Sequence, residues 1–214
     1  MSLFHFAGIG LGLLIAITVH EFLHAWMANY LGDPTPRYLG RVSLNPIVHL
    51  DPLGTMMMVF TAITGFGLGW GKPVPVNPYN LRPNRRTGMA LVALSGPLAN
   101  LITASALAIP IRLSMTMPTA LGLILYLVVF TNIGIAVFNL IPLPPLDGYS
   151  VLQGILASIR APWAYAWAST LSDLESRGPM LLLLLIMVDQ LLPVGLFRTF
   201  MSPIVGFFAR LILG

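Results

Sequence analysis

The sequence predicts an all-α, multi-span membrane protein: a helical bundle of about five to six membrane segments with short β strands at the membrane edge. Hydrophobic residues make up 57% of the 214 and charged residues 8%, where a soluble domain carries about 25% charged. The mean hydropathy is +0.85. The apolar residues also fall into separate runs, several near the roughly 20 residues that cross a bilayer, divided by prolines, glycines and arginines. This length leaves no room for a second module. Residues 1–214 are expected to form one domain, with its core over 5–155 and C-terminal membrane segments over 179–213.

The first run, Phe4 to Leu31, ends at Gly32-Asp33-Pro34, a helix stop followed by a turn. It is too long for a signal-peptide core and lacks a basic leader, so it is expected to stay in the mature chain. From Pro36 to Pro46, Arg41, Ser43 and Asn45 alternate with Val42 and Leu44, the period of a short edge strand. Leu53 to Phe66 is apolar but, at about 14 residues, short for a span. Basic residues flank it, with Arg37 and Arg41 before it and Arg82, Arg85 and Arg86 after it. The positive-inside rule puts both groups in the cytoplasm and favours a re-entrant segment.

Gly65, Gly67, Gly69 and Gly71 lead into Lys72-Pro73-Val74-Pro75, whose prolines forbid a helix. Two clear spans follow, Gly88 to about Ile111 and Ala120 to Ile141. Trp163, Tyr165 and Trp167 suit a stretch lying in the membrane interface. Met180 to Leu192 and Val194 to Leu213 are the final apolar segments, parted by Pro193.

The net charge of +4 does not indicate nucleic-acid binding, because the 11 basic residues are scattered through loops between apolar runs, as orientation signals are. With no Cys, any metal must be held by His, Asp or Glu. The same absence, with no organelle address, points to a prokaryotic cell membrane.

His20-Glu21-Phe22-Leu23-His24 is the pattern HExxH inside the first apolar run. A helix places His20 and His24 on one face, both able to meet one zinc ion, with Glu21 beside them as a candidate base. Four His and two Glu in 214 residues give this pattern by chance in roughly one such chain per thousand. Hydrolytic zinc takes three protein ligands and keeps one position open, so a third ligand is needed. Asp147 is the leading candidate, an acid flanked on both sides by apolar chain at the end of a span, where a carboxylate needs a partner. His49 and Asp51 come next, though their polar loop offers an easier solvated role.

Three motifs in order carry a family resemblance. HExxH lies in the first span, Ser95-Gly96-Pro97-Leu98-Ala99-Asn100 opens a middle one, and Asn139-Leu140-Ile141-Pro142 runs to Leu146-Asp147-Gly148. Together they resemble the site-2 protease family of intramembrane zinc metalloproteases, in a short form without PDZ or CBS modules. The resemblance implies one Zn2+ per chain on His20, His24 and Asp147, Glu21 as general base, and Asn139 as a polar group near the scissile carbonyl. Gly96, Pro97 and Asn100 are read as structural residues near the site.

The implied activity is cleavage of peptide bonds within or near transmembrane segments, by zinc-activated water with Glu21 taking its proton. An extended substrate is expected to pair with the edge strand Arg41, Val42, Ser43, Leu44 and Asn45. The partners are then a membrane-protein substrate and the bilayer, with the site opening toward the cytoplasm. A divalent-metal transporter would use the same ligands but needs such groups at several depths, and an inactive scaffold would not need Glu21.

Overall fold

A computed structural model describes residues 3–64, 69–113, 117–191 and 195–214. Gly65, Phe66, Gly67, Leu192, Pro193 and Val194, named above, lie outside the described residues. Among those described, the structure is helical. The helices are α1 (Leu3–Tyr30), α2 (Thr35–Tyr38), α3 (Pro52–Thr64), α4 (Arg85–Arg112), α5 (Thr119–Asn139), α6 (Asp147–Ser158), α7 (Pro162–Glu175), α8 (Gly178–Leu191) and α9 (Leu196–Leu213).

Three of them, α1, α4 and α5, are long and apolar enough to cross a membrane. The apolar helix α3 has 13 residues, about 20 Å of rise against roughly 30 Å of hydrocarbon. α8 and the apolar part of α9 are likewise shorter than a full span.

α1, α4 and α5 pack on one another and α6 packs on α4. Small residues set the distances. A Cβ on Gly12 would come within 2.8 Å of Thr131 Oγ1 and 3.2 Å of Val128 Cα, so α1 and α5 meet nearly backbone to backbone. Ala104 and Ala108 of α4 and Val129, Ile133 and Val137 of α5 form a buried cluster that Val205 and Ile212 of α9 complete.

The end of α1 follows from its residues. Gly32, at φ 109°, takes the left-handed conformation, and the N–H groups of Gly32 and Asp33 reach back to the carbonyls of Asn29 and Ala28 at 3.2 and 2.9 Å. Asp33 is then fully buried. Its carboxylate accepts from Thr35 N and Oγ1 (3.1 and 2.6 Å), Asn77 N (2.7 Å) and Asn80 Nδ2 (3.1 Å), tying the end of α1 to the loop before α4.

The strand expected over Arg41–Asn45 is not formed, and no strand occurs among the described residues. Local hydrogen bonds take its place: Ser43 Oγ accepts from Asn45 N at 3.1 Å, and Asn45 Oδ1 accepts from Ile47 N at 3.1 Å, capping a short 3-10 turn over Pro46–His49. Arg41 turns inward, 4% exposed, and its guanidinium donates to the carbonyls of Lys72 and Pro73. Its expected pairing edge is therefore replaced by a clamp. That clamp, the Leu50–Gly71 bridge and the bond from Lys72 N to His49 O (2.8 Å) hold the segment around Gly71 against the 41–50 loop.

Burial pushes the Asp33 carboxyl up, but its four hydrogen bonds outweigh this and hold it below the usual carboxylate range. Asp33→Ala is expected to cost about 2–4 kcal/mol at neutral pH, because it leaves buried donors unpaired. The folded carboxyl titrates below the unfolded one, near 3.9, so this contribution is complete above that value and fades as pH falls through the folded value. The difference in thermal midpoint between wild type and Asp33→Ala in detergent, followed from pH 7 to pH 3, checks both; a pH-independent difference contradicts the assignment.

Candidate metal centre

α1 carries His20 and His24 one turn apart, their rings perpendicular at 89° with centroids 4.5 Å apart. Exposure is 6% for His20 and 9% for His24. His20 Nδ1 lies 2.7 Å from Oδ1 of Asn100, and His24 Nδ1 lies 2.7 Å from the carbonyl oxygen of Val92. Both partners are acceptors, so each Nδ1 carries a ring proton, and in the neutral ring each Nε2 presents a lone pair.

Those lone pairs face a carboxylate. Asp147 Oδ2 is 3.0 Å from His20 Nε2, and Asp147 Oδ1 is 3.4 Å from His24 Nε2. No hydrogen bond satisfies the buried Oδ2. Acceptor atoms at this range repel unless a proton or a metal ion joins them. His20, His24 and Asp147 each offer an atom within 4.8 Å of the others, the one such group of three among the described residues. Ligands about 2.0–2.1 Å from a tetrahedral zinc stand about 3.3 Å apart, close to the observed spacings. The donor set fits the ion.

The helices around the site explain why these residues meet. Gly96 of α4 fills the gap beside the rings, and a Cβ there would fall 2.5 Å from His24 Cε1 and 2.8 Å from His20 Cε1. Pro97 lacks the N–H that would bond Ala93 in the next turn, loosening the ladder beside the carbonyl of Val92, which accepts both His24 and Ser95 Oγ (2.6 Å). Asp147 opens α6, where a carboxylate suits the positive end of the helix. The next residue must be glycine: a Cβ on Gly148 would lie 2.2 Å from the carbonyl oxygen of Leu140.

Glu21 Oε2 is buried without a hydrogen-bond partner, and the backbone at Gly71 passes close to Oε1. Asn139 closes α5 and donates its amide to the carbonyl of Ile135 at 3.0 Å. The other candidate ligands stand apart from the cluster. His49 is fully buried with Nε2 2.6 Å from the carbonyl of Ser43, and burial holds its imidazole below the ordinary value. Asp51 Oδ1 accepts from Gly54 N at 2.7 Å at the start of α3.

Two partners were not expected from the sequence. The carbonyl of Val92 leaves no mark in it. Asn132 does: it is an amide within an apolar span, fully buried, accepting from Asn100 Nδ2 at 3.1 Å. Gly96→Ala is expected to lower zinc affinity at least 10-fold by displacing both rings, while the apo protein keeps its helices. Competition with a chromophoric chelator and circular dichroism measure the two, and unchanged zinc affinity contradicts the packing described.

A model of peptidase family M50 matches residues 109–172, which include Asn139 and Asp147. "Putative zinc metalloprotease YwhC" of Bacillus subtilis is 36% identical over 152 residues, 67% of each chain. "Putative zinc metalloprotease Rip2" of Mycobacterium tuberculosis is 34% identical over 145 residues, 66% of this chain and 54% of that relative. The Rip2 of Mycolicibacterium smegmatis is 30% identical over the same number of residues. The chain thus spans about half the length of the Rip2 relatives it matches. No solved structure matches. A zinc-fitting triad packed among membrane-length helices agrees with these relatives, and the chain belongs to peptidase family M50, the site-2 protease family of zinc metalloproteases.

Proposed function

We propose that this chain is an intramembrane endopeptidase that hydrolyses peptide bonds within or near transmembrane segments of other membrane proteins. The observation that carries this is the convergence of His20, His24 and Asp147 around unpaired lone pairs inside a membrane-length helix bundle, with an unpaired Glu21 oxygen on the same helix. His20 lies ten residues, about 15 Å of rise, from the end of α1, close to the depth of a bilayer midplane.

His20, His24 and Asp147 would hold the zinc ion. When bound, it supplies Lewis-acid chemistry, polarising a carbonyl and bringing the pKa of a water toward about 7. Glu21 Oε2, with no donor occupying it, accepts the proton of the attacking water and passes it to the leaving amine. Asn139 uses one amide proton on Ile135 and keeps the other for the oxygen of the scissile carbonyl. The 41–45 loop meets substrate through Leu44 and Asn45, its exposed residues, while Arg41 stays committed to the wall around Gly71.

The basic loops before and after α3 face the cytoplasm of a prokaryotic cell, α3 re-enters from that side, and water reaches the site from it. The substrate helix must unwind locally before its backbone is accessible.

The test is cleavage of a model transmembrane peptide by the purified full chain with zinc, in detergent or liposomes. Glu21→Gln is expected to lose about 100- to 10,000-fold in rate while still holding one zinc. Cleavage by Glu21→Gln at the wild-type rate, or a wild type that binds zinc without cleaving any transmembrane peptide, overturns the reading.

A further inference from the structure

We propose that Asn132 is a positioning residue for the metal centre: by accepting the second amide proton of Asn100 it keeps Oδ1 of Asn100 on His20, and so keeps His20 Nε2 free to bind zinc. The inference rests on the zinc reading of the site and assigns a role to a residue of α5 that lies outside the three motifs.

Asn100 and Asn132 are both fully buried, so every polar hydrogen they carry needs a partner within the protein. Asn100 Nδ2 has two. One goes to the carbonyl of Ala16 on α1 at 2.9 Å and the other to Oδ1 of Asn132 at 3.1 Å. With both protons engaged, Oδ1 is left facing Nδ1 of His20 at 2.7 Å. Asn132 is fixed in turn, since its own Nδ2 donates to the carbonyl of Val128 at 2.9 Å and thereby turns its oxygen toward Asn100. The chain of contacts runs Val128, Asn132, Asn100, His20, and the amide of Asn100 has one orientation that satisfies all of its contacts.

Removing the acceptor at 132 strands one buried N–H of Asn100. The amide is then held in its orientation by the Ala16 carbonyl alone, so a turn about its terminal torsion, which carries Oδ1 away from His20, costs less than before. The imidazole then loses the acceptor that keeps its proton on Nδ1. In the tautomer protonated on Nε2, His20 offers the metal no lone pair.

Zinc affinity of the full chain in detergent, by competition with a chromophoric chelator, reads this directly. Asn132→Leu, similar in size but without an acceptor, is expected to weaken zinc binding about 10-fold. Asn132→Asp, which keeps an oxygen toward Asn100, is expected to stay nearer wild type. The decisive comparison is made on an Asn100→Asp background. A carboxylate there has no N–H to satisfy and cannot offer His20 a donor, so adding Asn132→Leu should change affinity less than 2-fold. Apo thermal midpoints register any general loosening separately.

Equal weakening by Asn132→Leu on both backgrounds, or unchanged zinc affinity in the single variant, overturns the positioning role and leaves the zinc reading standing. A wild-type chain that binds no zinc overturns both.

Discussion

Both histidines hand their Nδ1 protons to α4, and the site depends on that pairing. Val92, Gly96 and Asn100 follow one another at four-residue steps, so they form a single stripe of α4 facing α1. The carbonyl of Val92 takes His24, the amide of Asn100 takes His20, and Gly96 between them leaves room for the rings. The helices run antiparallel, which lets two residues four apart on α1 meet two acceptors eight apart on α4. Either acceptor alone would leave the other ring free to choose its tautomer. Together they turn two nitrogens toward Asp147.

The third candidate ligand comes from a different kind of constraint. Asp147 is brought in by the turn after α5, closed by Gly148 against the carbonyl of Leu140, and α6 is then seated on α4, where a Cβ on Gly154 would meet Ala90 Cβ at 2.3 Å. α4 therefore fixes the site from two sides, through the histidines and through the helix that bears the aspartate. On the remaining side, Arg41 and His49 hold the segment around Gly71 beside Glu21. The Glu21 carboxyl thus has the backbone of Gly71 beside it.

How much of this was legible in the sequence follows from which forces are local. HExxH is read directly, because helix geometry alone puts its histidines on one face. Asp147 stands out since an acid among apolar residues must answer to something. The long spans are visible from apolar length, whereas the shorter helices leave the number of crossings unresolved by length and composition. The false strand over Arg41–Asn45 has an identifiable origin. Alternation of polar and apolar residues is also what a chain of Ser and Asn turns produces, and here Ser43 and Asn45 bond to nearby backbone and decide the outcome. The inward turn of Arg41 rests on carbonyls more than thirty residues away, which no local pattern reports.

Charge gives the last constraint. The site brings two carboxyl side chains, Glu21 and Asp147, into a bundle whose surroundings are largely apolar. An acid at the centre of a bilayer helix costs on the order of 2.5–3.5 kcal/mol on insertion scales, and two near each other also repel. A divalent cation held by Asp147 and the two imidazoles would offset that cost. An acid in such surroundings needs a partner, and a metal ion between His20, His24 and Asp147 is a partner that this geometry fits, whereas Glu21 Oε2 has no hydrogen-bond donor on it.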